Sequence, residues 1–315
     1  MGASGDRGRE TDSRPHQAPA QESAWLRRLH DCVRDACLLE VRSAKPGNVT
    51  PDHQFADTTA ADFERSALAI ADVLPQTVSQ SVGAGILAAI QATRNVVDSN
   101  TNLGIVLLLA PLAAVPAHIS LADGVGAVLR SLSVDDAVDA FAAIRLAAPG
   151  GLGEAEEQDV AAAPTETLRE CMVLAADRDL IARQYRDDFR DVLDSGLAWL
   201  QETARWTTHL PDRIAWVALR LMQAYGDSLI ARKCGPQVSD EVSRRAGDLL
   251  SAGWPQEPAA QMRFEEFDAF LRADGHRRNP GTTADMIAAV LFAALRDRKI
   301  HPDADTTTFR FVDAS

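Results

Sequence analysis

Lysine is nearly missing from this chain: of its 32 basic residues only Lys45, Lys233 and Lys299 are lysines. An ammonium is a compact, mobile point charge suited to phosphate, whereas a guanidinium is a planar fork. Lysines kept in so arginine-rich a chain are therefore candidate phosphate contacts, with compositional drift as the alternative. Aromatic residues are scarce, at 5%, which excludes a stacking platform for bases. Basic charge is outnumbered, with 45 acidic side chains and a formal charge of −13. That excludes a generic nucleic-acid binder, which needs a basic face to displace counterions. Cys32, Cys37, Cys171 and Cys234 form no CxxC pair, so neither a thiolate zinc site nor a disulfide scaffold is expected. Nothing at the N-terminus reads as a signal peptide, and a cytoplasmic protein is expected. The longest apolar run, Leu103–Val115, has thirteen residues. A bilayer needs about 20, so the run reads as a buried core helix and no membrane partner is expected.

What is present is helical pattern. Hydrophobic residues make up 46%, which excludes a disordered acidic protein. Residues 1–22 are Gly, Ser, Arg, Gln and Pro with almost no large apolar residue, and a disordered tail is expected there. Leu26, Leu29, Val33 and Cys37 then fall on one helical stripe. Further helices are expected at about 60–74, 80–98, 102–117, 122–131, 134–147, 165–182, 187–204, 212–234, 238–251, 264–273 and 283–298. Strand-like alternation is confined to Phe309–Val312. The expectation is a single large all-α domain over residues 23–304, followed by a C-terminal tail over 305–315. Leu103–Val115, Ile214–Ala231 and Met286–Leu295 are apolar nearly all round, so they are expected as the buried central helices.

Polar groups break this apolar logic at five places. Glu40 continues the buried stripe of the first helix, where a carboxylate needs a cation, a metal or a proton. Lys45-Pro46-Gly47-Asn48 follows, a turn that holds Lys45 near Glu40. Asn100-Thr101-Asn102-Leu103-Gly104 precedes the thirteen-residue run. It is either an ordinary cap or a buried helix start offering amides to an anion. Pro149-Gly150-Gly151-Leu152-Gly153-Glu154, running on to Asp159, joins a glycine turn to a cluster of acids. Such acids suit Mg²⁺ held between carboxylates and phosphates, or simply a first helical turn. Asp227 is a charge inside an apolar helix that ends at Arg232-Lys233-Cys234-Gly235. Finally, Asn279-Pro280-Gly281-Thr282-Thr283-Ala284-Asp285 precedes the last apolar helix. Thr282 and Asp285 have capping-box spacing, echoing Thr59 and Asp62. Asp187-Asp188-Phe189-Arg190-Asp191 spells DDxxD but has no aspartate-rich partner motif, so it reads as a solvated face.

Taken in order, these segments resemble the triphosphoribosyl-dephospho-coenzyme A synthase family. The resemblance runs from about Leu38 to Leu295 and also takes in Asp57 and Asp62. It implies an all-α pentosyltransferase that uses ATP as ribosyl donor, with adenine leaving as the 2′-hydroxyl of dephospho-coenzyme A attacks. Family members read Thr-Asn-Thr-His-Lys-Gly where this chain has Thr101-Asn102-Leu103-Gly104. The missing His and Lys make the chain similar to a divergent branch linked to tetrahydromethanopterin, whose α-linked ribose phosphate fits one displacement with inversion. The resemblance implies ATP and either dephospho-coenzyme A or a pterin-type acceptor as small-molecule partners, Mg²⁺ as cofactor, and a homodimer as one possible assembly.

Chemically, an anomeric displacement passes through an oxocarbenium-like state that carboxylates stabilise, and one carboxylate can take the hydroxyl proton. Glu40, Asp57 and Asp227 are the catalytic candidates, with Glu154 open to the same role. Lys45, Asn102, Gly150, Gly151, Arg232, Lys233, Asn279, Thr282 and Asp285 are the candidate nucleotide contacts, and Glu154 and Asp159 the candidate metal ligands. A non-catalytic helical protein that binds nucleotide or a partner is the other class. Charges on buried stripes argue against it.

Overall fold

The stripe of Leu26, Leu29, Val33 and Cys37 builds the first helix, α1, Gln17–Arg42. The computed structural model describes residues 17–55, 58–149, 157–302 and 309–311. Helix α2 is Ala60–Ala71, α3 Val82–Arg94, α4 Leu103–Ala113, α5 Leu121–Arg130, α6 Val134–Ala147 and α7 Leu168–Ala175. Helix α8 is Leu180–Arg186, α9 Leu197–Glu202, α10 Leu210–Tyr225, α11 Ser228–Cys234, α12 Pro236–Ser251, α13 Gln261–Arg272 and α14 Gly281–Arg296. The chain is a single all-α domain, and no helix among the described residues is long and apolar enough to cross a membrane.

Helices α4 and α14 form the interior. Every residue of α4 except Gly104 is buried, as is all of Met286–Leu295. Helix α14 packs on α1 and α4, while α3 pairs with α6, and α10 with α12. One internal defect shows how tightly this layer is satisfied. Pro111 sits inside α4 and has no N–H to give the carbonyl four residues earlier. That carbonyl, of Leu107, accepts instead from the fully buried Tyr185 hydroxyl at 2.6 Å.

Four expectations need correction. Residues 17–22 belong to α1 rather than to a tail; Ala, Gln and Glu are good helix formers by intrinsic propensity. The helix expected over 165–182 breaks before Leu180, because Asp179 caps a new helix with bonds to the amides of Ile181 and Ala182. The helix expected over 212–234 breaks at Gly226, whose φ of +68° is strained for any residue with a Cβ. Asp227 is thus the cap of α11 rather than a charge within a helix. Finally, Phe309–Phe311 does form a strand, but it pairs antiparallel with Ile300–Pro302. The ribbon straddles the expected domain limit at residue 304. Val312, and residues 1–16 of the expected tail, lie outside the described residues.

Candidate active site

The turn after α1 is built from the inside. The Lys45 ammonium lies 3.0 Å from Glu40 Oε1 and donates to the carbonyls of Glu40 and Ser43. The Lys45 side chain is fully buried and that of Glu40 is 6% exposed. The partner Glu40 required is therefore this lysine, and no donor of Lys45 is left for a phosphate. Gly47 has φ +78°, and a Cβ there would lie 2.7 Å from Leu271 Cβ, so only glycine lets α13 close over the turn. Its amide donates to Asp268 Oδ1 at 2.7 Å. Asn48 carries the link onward, donating from Nδ2 to Asn279 Oδ1 at 2.9 Å and to the Pro280 carbonyl at 3.3 Å.

Asp227 does for α14 what the local sequence does not. Its Oδ1 accepts from the Ile230 amide at 3.0 Å. Its Oδ2 accepts from the Thr283 amide and hydroxyl, each at 2.8 Å. In return Thr282 Oγ1 accepts from the Leu229 amide and the Ser228 hydroxyl. The capping box expected between Thr282 and Asp285 is therefore not formed, whereas the matching Thr59–Asp62 box is. Burial raises the Asp227 pKa, opposed by the hydrogen bonds from Ile230 and Thr283. Ser228 also accepts from the Leu180 amide at 3.3 Å, so the starts of α8, α11 and α14 are tied together. Asp179, capping α8 with Oδ1, reaches Arg232 with Oδ2 at 3.3 Å.

These helix starts and that of α4 line one cleft of about 1200 Å³. Asn102 lies at its wall, but the amide turns inward to Thr93 Oγ1 at 3.0 Å. The amides of Gly104 and Ile105 take no hydrogen bond among the described residues, which is the usual state of a helix start open to an anion. Lys233 and Arg178 line the cleft without a carboxylate partner among the described residues. Asp285 lies between α1, α4 and α11. Burial holds its carboxyl well above the usual carboxylate range, reinforced by Glu40, Asp227 and Asp179 and partly countered by Arg232.

The cleft thus gathers Glu40, Asn102, Asp159, Asp227, Arg232, Lys233, Asn279, Thr282 and Asp285. Lys45 is the one described candidate left off its wall. Asp57, Gly150, Gly151 and Glu154 lie outside the described residues. Asp159 bonds the Ala161 amide at 2.7 Å, and among the described residues no three His, Cys, Asp or Glu side chains gather as a metal-ligand set. The DDxxD residues are spent on arginines: Asp187 on Arg186, Asp188 on Arg169 and Asp191 on Arg183. Among the lining residues that escaped the sequence reading are Asp179 and Arg178. Asp179 stands before Leu180-Ile181 in ordinary cap fashion, a signal hidden by taking 165–182 as one helix. Arg178 has no distinguishing signal in an arginine-rich chain.

Residues 26–303 match the family described as ATP:dephospho-CoA triphosphoribosyl transferase, or CitG. The fold matches a crystal structure from Archaeoglobus fulgidus described as a candidate triphosphoribosyl-dephospho-CoA synthase. Identity is 22% over 74% of this chain and 97% of that one, with a TM-score of 0.59, a likeness of fold. The chain matches no curated protein.

Proposed function

Because this chain belongs to the ATP:dephospho-CoA triphosphoribosyl transferase family, a family of transferases in cofactor biosynthesis, we propose that its cleft displaces adenine from ATP. The triphosphoribosyl group passes to an acceptor hydroxyl. The observation that carries this reading is convergence. Motifs spread from Glu40 to Asp285 line one cleft, with an open helix start and Lys233 to draw in a polyphosphate and carboxylates to face the ribose. The α4 start and Lys233 supply positive potential, and Arg232 adds charge tempered by Asp179.

Described acids outnumber cations along the cleft wall, so a triphosphate entering it is best accompanied by Mg²⁺, which takes one or two carboxylates plus phosphate oxygens. Asp159, and Glu154 outside the described residues, are the carboxylates that would hold it; the ion supplies charge neutralisation of the phosphates. Glu40 and Asp227 act through position: one neutralises Lys45 behind the cleft wall, the other holds two helix starts in register. The acceptor follows from the family as the 2′-hydroxyl of dephospho-CoA. The absence of the family's His-Lys pair between Asn102 and Gly104 supports a second reading, ribosyl-phosphate transfer to a pterin-type acceptor.

The test is release of adenine from Mg-ATP, with dephospho-CoA and a ribosylated pterin precursor as alternative acceptors. Expected is one adenine per triphosphoribosylated product, with one acceptor clearly preferred. No adenine with either, alongside an ordinary rise in melting temperature on adding Mg-ATP, would leave a nucleotide-binding protein without transfer activity.

A further inference from the structure

The described carboxylates of the cleft can be sorted by what already occupies them. Glu40 is held by Lys45 at 3.0 Å. Both oxygens of Asp227 cap helices, and Asp179 is divided between α8 and Arg232. Asp159 bonds a backbone amide. Glu157, Asp177 and Asp240 stand exposed at the rim. Asp285 differs from all of them. It is enclosed, yet partly open to the cleft, and has no hydrogen bond or ion pair among the described residues. It also lies close against the start of α4. A Cβ at position 104 would overlap its carboxylate, so the absence of a side chain on Gly104 is what lets the group stand against the open start of α4. Its local duty as a capping-box acid has been taken over by Asp227 from another helix.

We propose that Asp285 is the general base of the transfer, taking the proton from the attacking acceptor hydroxyl. This rests on the reading of the cleft as a ribosyl-transfer site. As the acceptor oxygen forms its bond to C1′ of the ribose, the C1′–N9 bond breaks and its electron pair leaves with adenine. The hydroxyl proton passes to a carboxylate oxygen of Asp285 and then to solvent, while adenine gains one proton from solvent, so the overall reaction is balanced. The groups facing Asp285 are Glu40 and the neutral Cys37 thiol on α1, Asp227 and Arg232 on α11, and Asp179 ahead of α8. Three acids against one arginine, in a buried place, make this carboxylate hold its proton more strongly than a solvated one. A base is most effective when its proton affinity approaches the working pH.

The experiment measures adenine release by the full-length protein as a function of pH, with Mg-ATP and the preferred acceptor, for the wild type and Asp285→Asn. Expected for the wild type is an acidic limb in kcat/KM that lies well above the ordinary carboxylate value of about 4. Asp285→Asn is expected to lose about 10²–10⁴-fold in kcat, a typical general-base effect, with KM for ATP unchanged and melting unchanged or higher. Near-normal turnover in the variant, or a rise in KM for ATP without loss of kcat, overturns the assignment while leaving the transferase reading intact. So does a wild-type acidic limb at the ordinary carboxylate value, a readout that needs no variant to fold. Absence of adenine release by the wild type overturns the transferase reading itself, and the base with it.

Discussion

Glu40→Gln is expected to lower the unfolding free energy by about 3–5 kcal/mol, the usual cost of removing one partner of a buried ion pair. The amide keeps the volume and an acceptor oxygen but leaves the Lys45 ammonium with neutral carbonyls alone, in a place where its side chain has no solvent exposure. Urea denaturation at neutral pH measures the loss. Pairing the change with Lys45→Met should recover most of it, because a methionine fills the lysine channel without a charge. Equal midpoints for wild type and the single variant would mean that the charge of Glu40 contributes nothing to stability. The same variant reports on the neighbouring site. Glu40 raises the Asp285 pKa, so removing its charge should move the acidic limb of activity to lower pH.

Asp227→Ala should cost about 2–4 kcal/mol, since the lost α11 cap is worth roughly 1 kcal/mol and the stranded buried amide at α14 adds about 1–3 kcal/mol. The stranded amide is that of Thr283, whose hydroxyl also loses its acceptor. Asp227→Asn should lose about half as much, because its remaining carbonyl oxygen can cap one helix start but not both. The pH dependence has a definite sign. Burial raises the Asp227 pKa, so the folded protein holds this proton more tightly than the unfolded chain. This group's contribution is therefore most favourable at low pH and falls as pH rises through the ordinary carboxylate value and up to the folded one. Replacement by asparagine should flatten that slope, and chemical denaturation at pH 4 and pH 7 would show it. A slope equal in variant and wild type would mean that Asp227 keeps an ordinary proton affinity in the folded state.

The central helices were legible because burial leaves a plain mark: Leu103–Val115 and Met286–Leu295 have no polar face, and both lie in the interior. Glu40 was legible as an anomaly for the same reason, since a carboxylate on an apolar stripe must have a partner. That the partner is the Lys45 cation, and not a metal, depended on how tightly the turn at Gly47 closes under α13. The break at Gly226-Asp227 was hidden because the apolar pattern continues on both sides of it. The most instructive case is a pair of similar strings. Thr59-Ala60-Ala61-Asp62 and Thr282-Thr283-Ala284-Asp285 share cap spacing, yet only the first forms a capping box. At the second, an aspartate 56 residues earlier in the chain supplies the cap. No local pattern records that exchange, and the freed Asp285 could be recognised only once both helices were in place.

The scarcity of lysine now acquires a practical meaning. The chain's three lysines occupy three different settings: Lys45 sealed beneath the first turn, Lys233 on the cleft wall, Lys299 exposed near the last strand pair. An amine-directed acylating reagent therefore meets a natural set of internal standards. Lys299 records the reagent's activity in bulk solvent. Lys233 is shielded whenever the cleft is filled. Lys45 reacts only in molecules whose fold has opened around its ion pair, so the label accumulating there counts rare openings of the native protein.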